Sequence, residues 1–166
     1  MEIDVAKEIT DGLEGLDNLT TFIALKNKIR ELSRKVAGYL NDEMLKILDK
    51  NGIKKQIVER LDPPVRIRLL HIDGDGNLIE TDKYISKIII TADGIVEVSV
   101  IGGSKGNECE LVYFNKYSED PIKLINVMRA LKSVGDRLSS SKFIDLTNKL
   151  CEQLSAVAAL SEAQRQ

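Results

Sequence analysis

Few residues in this chain could do chemistry, and their spacing is the first constraint on its function. His71 is the only histidine, Cys109 and Cys151 are the only cysteines, and tryptophan is absent. His71 closes a strand-like run just before Asp73, which supplies the residue types of an acid/base pair. No serine or cysteine nucleophile stands near it in sequence. A lone histidine at a strand end reads first as structural. Oxygen-bearing side chains alternate at Asp73, Asp75 and Asn77, with Glu80 and Asp82 beyond. Such alternation suits calcium, but Leu78 stands where an EF-hand loop needs glycine and Tyr84 where it needs a bidentate glutamate. An Asp-Gly turn accounts for the same residues. The expectation is no metal site; Asp73, Asp75 and Asn77 are the residues that would supply one, and with His71 they define a metal-dependent enzyme reading.

Two further candidates are weaker in pattern. Gly102-Gly103-Ser104-Lys105-Gly106-Asn107 sets glycines beside a lysine. A phosphate-binding loop needs Gly-Lys-Ser/Thr and a helix directly after it, and here a strand follows, so a hairpin loop is expected. Neither cysteine has a second cysteine or a histidine at metal-ligand spacing. Both read as small buried hydrophobes. No cofactor is implied, and the chain is read as not an enzyme.

The basic stretch is more informative. Lys26, Lys28, Arg30, Arg34 and Lys35 face one acid, Glu31. A helix of this kind can track a nucleic-acid backbone by displacing condensed counterions. Residues 2–17 carry Glu2, Asp4, Glu8, Asp11, Glu14 and Asp17 against one base, Lys7. An acidic helix folding back on a basic one would pair the two charge sets, and Lys28 and Lys35 sit at g-like positions where such pairing occurs.

These residues must be positioned by recognisable elements. Ile3, Ala6, Ile9, Leu13 and Leu16 recur at helical spacing, with Asp17 and Asn18 reading as a stop and a new N-cap. Phe22, Leu25, Ile29, Leu32, Val36 and Tyr39 then alternate steps of three and four, an apolar seam suited to a helical neighbour. Asn41, Asp42 and Glu43 look like a fresh helix start, closed by Asn51-Gly52. A short helix is expected over 54–61. Asp62-Pro63-Pro64 ends it, and the period changes to two. Strands follow over 65–70, 78–80, 85–91, 95–101 and 109–114, with turns between them. Asp120-Pro121 restarts helix, and Ser139-Ser140-Ser141 separates it from a last helix carrying Phe143, Leu146, Leu150, Leu154 and Val157.

The outer strand positions mix Arg66, Arg68 and Lys87 with Glu97, Ser99 and Glu110, while Tyr113 and Phe114 fall on opposite faces. A platform for stacking single-stranded bases needs exposed aromatics on one face, and this pattern does not supply them.

Length and composition fit this outline. At 166 residues, 43% hydrophobic and 30% charged, the chain can build one ordinary core. A net charge of −2 argues against wholesale polyanion binding but leaves room for a local patch. No run is long and apolar enough for a bilayer, and the acidic N-terminus lacks a signal-peptide pattern, so a cytoplasmic location is expected.

No segment matches a family motif residue by residue. The order of elements alone resembles prefoldin subunits, which put hairpins between coiled-coil helices. Gly12, Gly15, Gly38 and Gly52, with the breaks above, argue against long helices of that kind. It also resembles small helical subunits of archaeal CRISPR surveillance complexes, a role the basic helix 26–35 would suit.

The resulting expectation is an α+β protein. N- and C-terminal helices (1–61 and 120–163) form a bundle around a central antiparallel meander (65–115) of four to five strands. The leading functional expectation is a non-catalytic interaction or assembly subunit, with a protein partner or a second copy on Leu25, Ile29, Leu32 and Val36. The alternative is a nucleic-acid-associated accessory protein using Lys26, Lys28, Arg30, Arg34 and Lys35. No membrane partner is expected.

Overall fold

The computed structural model describes residues 1–102 and 109–165. The chain is α+β: one long helix α1 (Val5–Lys50), strands β1 (Ile57–Ile72), β2 (Leu78–Ile90), β3 (Val96–Ile101) and β4 (Cys109–Phe114), then helices α2 (Pro121–Leu138) and α3 (Ser141–Arg165). The strands form one antiparallel sheet in the order β1-β2-β3-β4.

α1 is continuous over 46 residues, and neither expected break occurs. The first proline in the chain is Pro63, so nothing in this span removes a helical donor. The Asp17 carbonyl accepts from the Thr20 hydroxyl within the helix, and the Asn41 side chain is used elsewhere, donating to the Asp93 carbonyl. Gly12, Gly15 and Gly38 each cost about 1 kcal/mol against alanine, which weakens a helix without ending it. Asp4 caps the N-terminus by accepting from the Lys7 amide at 3.1 Å. At the other end Gly52 takes a φ of +69°, and the Ile53 amide reaches back to the Leu48 carbonyl, the geometry expected of Asn51-Gly52.

The short helix expected over 54–61 is instead the start of β1. Ile57, Val58 and Glu59 pair with Ile90, Ile89 and Ile88. A short apolar run does not distinguish helix from strand, and the triple-isoleucine partner decides it. β1 also passes through the proline pair. Its register shifts between Arg60 and Val65, the Asp62–Pro63 peptide is cis, and β1 is an edge strand, where missing amide donors are tolerated. The two strands expected over 78–80 and 85–91 are one, β2.

The core lies on one face of the sheet. Val65, Ile67 and Leu69 alternate into it from β1, Ile85 and Ile88 from β2, Val96, Val98 and Val100 from β3, and Val112 and Phe114 from β4. α2 covers them with Leu124, Val127, Ala130 and Val134, and packs mainly on the edge strands β1 and β4. Its N-terminus is fixed as expected: the Asp120 carboxylate accepts from the Ile122 amide at 2.9 Å, with Pro121 in the first turn.

α2 also covers the open edge of β1. Asn126 is buried; its Oδ1 accepts from the Leu70 amide at 2.8 Å and its Nδ2 donates to the Leu70 carbonyl at 3.0 Å. Arg129 donates to the Arg68 carbonyl and Arg137 to the Pro63 carbonyl. Backbone groups that would otherwise template another strand are thus occupied.

Only the last third of α1 joins the core. Ala37 is fully buried, flanked by buried Ser33 and Asn41, with Leu40 and Met44 packed alongside. Small side chains here let the helix approach closely. The tip of the β2–β3 hairpin docks on it: Gly94 has a φ of +86°, and a Cβ there would come within 2.5 Å of the Asn41 Nδ2. Gly94→Ala is therefore expected to cost about 1–3 kcal/mol, through backbone strain and displacement of Asn41. Urea unfolding monitored by circular dichroism checks this.

Candidate functional site

The first two thirds of α1 are largely exposed to solvent. No residue before Ser33 is buried, and Ile9, Leu13, Leu16, Phe22, Leu25, Ile29 and Leu32 are all exposed. The expected seam residues Leu25, Ile29, Leu32 and Val36 retain 56, 49, 49 and 48% of their exposure. They do not pack inside a bundle. The core takes the adjacent Ser33–Ala37–Asn41 stripe instead, where α1 meets α2 and the β2–β3 turn. α3 packs on no other element to a comparable extent among the described residues, and Leu146, Leu150, Leu154 and Val157 are exposed.

The seam forms one wall of two grooves. Phe22, Leu25 and Ile29 face Tyr113, Tyr117 and Pro121 across a groove of about 790 Å³. Farther along, Val36 and Leu40 face Leu124, Ile125 and Met128 of α2 across about 400 Å³. The residues between β4 and α2 are held rigidly. The Asn115 amide donates to the Ser118 hydroxyl, the Asn115 carboxamide oxygen accepts from the Tyr117 amide at 2.8 Å, and Arg34 ties the loop to α1 through Glu119 at 2.6 Å. This loop wall was not legible in sequence, where 115–120 reads only as a connection.

The five basic residues do not form a single track. Lys26, Arg30 and Arg34 follow each other at steps of four along one side of the seam; Lys28 and Lys35, seven apart, lie on the other. Arg34 is paired with Glu119, and Lys35 with Glu31 at 3.3 Å. Lys26 and Arg30 line the larger groove together with Lys123. Both acids of that groove are already used, Glu119 by Arg34 and Asp120 as the α2 cap. Glu8, Asp11, Glu14 and Asp17 cannot fold back on this segment within one chain, because they belong to the same unbroken helix.

The remaining sequence candidates are local structure. The Asp73 carboxylate accepts from the Asp75 amide at 3.0 Å and the Asn77 amide at 2.9 Å, closing the turn between β1 and β2. Among the described residues no three histidine, cysteine, aspartate or glutamate side chains converge as a metal site would require. His71 bonds through Nε2 to the Thr81 hydroxyl on β2, not to an aspartate. Cys151, expected to be buried, is exposed on α3 and free. The Cys109 side chain and the loop 103–107 lie outside the described residues.

The arginines at the β1 edge of the outer sheet face are tied up in ion pairs. Arg66 binds Asp82 at 2.9 Å, Arg68 reaches Asp82 and Glu80, and Arg129 also meets Glu80. The Arg66 hydrogen bond holds the Asp82 carboxyl below the usual range. All these groups are solvent-facing, so the network adds little stability. Two acids are thus shared among three arginines, so these cations are engaged in ion pairs and form no free basic track. Phe114 is fully buried; Tyr113, opposite Glu97 and lining the larger groove, and Tyr84, opposite Arg66, lie on the outer face but on the separate strands β4 and β2.

Comparison with known proteins returned no matching protein family, no matching curated protein and no matching solved structure. No helix among the described residues is long and apolar enough to cross a membrane.

Proposed function

We propose that this protein is a non-catalytic assembly subunit that binds a helical protein partner along α1. One observation carries the reading: a continuous 46-residue helix whose apolar residues stay exposed from Val5 to Val36. Exposed apolar surface on this scale, interspersed with charge, marks an interaction site. A lone helix in water gains little from propensity alone, so a partner on the seam would also stabilise α1 itself. The grooves beside the seam suit a second helix, whose side chains at steps of three and four would enter between α1 and the 115–121 wall.

The test is the combined variant Leu25→Ser, Ile29→Ser and Leu32→Ser. Its expected result is loss of complex on size exclusion of a native extract, with thermal unfolding of the sheet domain unchanged. An unaltered elution volume for the variant would refute the reading.

A nucleic-acid partner is the second reading, favoured by Lys26, Lys28 and Arg30, which have no ion-pair partner among the described residues. It places the same complex under nuclease control: association would disappear on nuclease treatment and weaken steeply with salt.

A further inference from the structure

The larger groove carries more positive charge than its own acids cancel. Lys26 and Arg30 line it from α1, and Lys123 lines it from α2. None of the three has an ion-pair partner among the described residues. Of the acids beside them, Glu119 is held by Arg34, and Asp120 accepts from the Ile122 and Lys123 amides. The rest of the lining is largely apolar, with Phe22, Leu25 and Ile29 on one wall and Tyr113, Tyr117 and Pro121 on the other.

This combination restricts what can lie there. A neutral apolar occupant would shield three cations from water and offer them nothing in return. An occupant that brings carboxylates as well as apolar side chains satisfies both parts of the lining. A nucleic-acid backbone wants a continuous charged track. Here the cations border an apolar groove, and Arg34, one turn beyond Arg30, is already paired.

We propose that this groove takes an acidic amphipathic helix of a different protein. This rests on the assembly reading above and names the chemistry of its partner. Apolar side chains at steps of three and four enter against Phe22, Leu25 and Ile29, two turns of α1. Carboxylates beside them meet Lys26 and Arg30 on one wall and Lys123 on the other.

The exposed helices of this chain do not have that pattern. At about 100° per residue, Asp11 and Glu14 lie on the side of α1 away from Ile9, Leu13 and Leu16, and only Asp17 flanks that stripe. On α3 the charged residues nearest the stripe of Leu146, Leu150, Leu154 and Val157 are Lys142, Lys149 and Arg165. The α3 acids Asp145, Glu152 and Glu162 lie on its far side. A second copy would therefore bring a single flanking carboxylate, or further cations, to three cations already in place.

Selection of a display library of helical peptides on the full chain is the deciding experiment. Retained sequences are expected to set aspartate and glutamate beside apolar residues at steps of three and four. A retained peptide, labelled and followed by fluorescence anisotropy, should bind at least about tenfold more weakly to Lys26→Glu, to Arg30→Glu and to Lys123→Glu. Its affinity for the wild-type chain should fall as salt rises. Lys123 belongs to α2, so its reversal separates a groove from a bare charged helix. Thermal unfolding of each variant should match the wild type; were Lys123→Glu to fail to fold, the exposed Lys26 and Arg30 still decide the matter. Retained peptides without an excess of acid, or acidic ones indifferent to the reversals, would overturn the proposal. So would the absence of any retained peptide, tighter binding of oligothymidylate than of the acidic peptides, or self-association of the wild-type chain that the reversals abolish. A cellular complex that survives all three reversals but is lost with the Leu25, Ile29 and Leu32 variant would end this inference and leave the assembly reading standing.

Discussion

Replacing Phe114 with alanine is expected to remove about 3–5 kcal/mol of stability, a large part of what a domain this size has. Phe114 is fully buried, the largest side chain in the core, and lies opposite Val96 on the neighbouring strand. Its ring fills the end of the sheet where β4 turns toward α2, so truncation leaves a cavity that two rigid elements cannot close. Urea denaturation followed by circular dichroism would read the loss as a lower midpoint with an unchanged slope. Leu25→Ala is the control. Leu25 is an equally apolar residue that is more than half exposed, and its truncation should move the midpoint of the isolated chain by at most about 0.5 kcal/mol. Equal losses at the two positions would mean that α1 is packed in solution along its whole length.

Replacing Asn126 with alanine is expected to cost about 2–4 kcal/mol by a different route. Both polar ends of this buried side chain are spent on one residue, the amide and the carbonyl of Leu70. Leu70 is itself buried, so water does not replace the lost partners. Stripping a buried donor and acceptor together carries the desolvation penalty of each. Asn126→Asp separates the two contributions: it keeps an acceptor for the amide, deprives the carbonyl of its donor, and places a charge there. It should be at least as damaging as alanine. Amide hydrogen exchange at Leu70 gives the site-specific readout and should accelerate in both variants more than at Ile88, in the interior strand. The exposed β1 edge should also make the alanine variant more prone to aggregate. Unchanged protection at Leu70 would show that Asn126 does not hold that edge.

Most of the element plan was legible in the sequence. The turns at Asp73–Asn77 and Ala92–Gly94, the Asn51-Gly52 stop, the Asp120-Pro121 start and the break at Ser139–Ser141 are set by local backbone chemistry, which needs no tertiary context. The alternation in Val96–Val100 and Val65–Leu69 likewise identified core-facing positions, because strand side chains change face at every residue. The apolar seam from Phe22 to Tyr39 was visible for the same kind of reason, as a period.

The misreadings fall where a local signal competes with a long-range one. Asn41 resembles an N-cap, yet its carboxamide is needed by Asp93, 52 residues away, and the helix continues beneath it. Asp17 and Asn18 sit in a helix that nothing terminates. Ile57–Leu61 carries an apolar pattern compatible with either helix or strand until Ile88–Ile90 lies beside it.

The sequence by itself determined the α+β class, the meander and its inward-facing residues, and the presence of an amphipathic helix with segregated charge. Only the tertiary structure decided which side of that helix is used. Packing against α2 and the β2–β3 turn uses the stripe of Ser33, Ala37 and Asn41, whose short side chains let the helix come close and whose Asn41 carboxamide meets the Asp93 carbonyl. Leu25, Ile29, Leu32 and Val36 are left facing water, and an interior seam becomes a surface one.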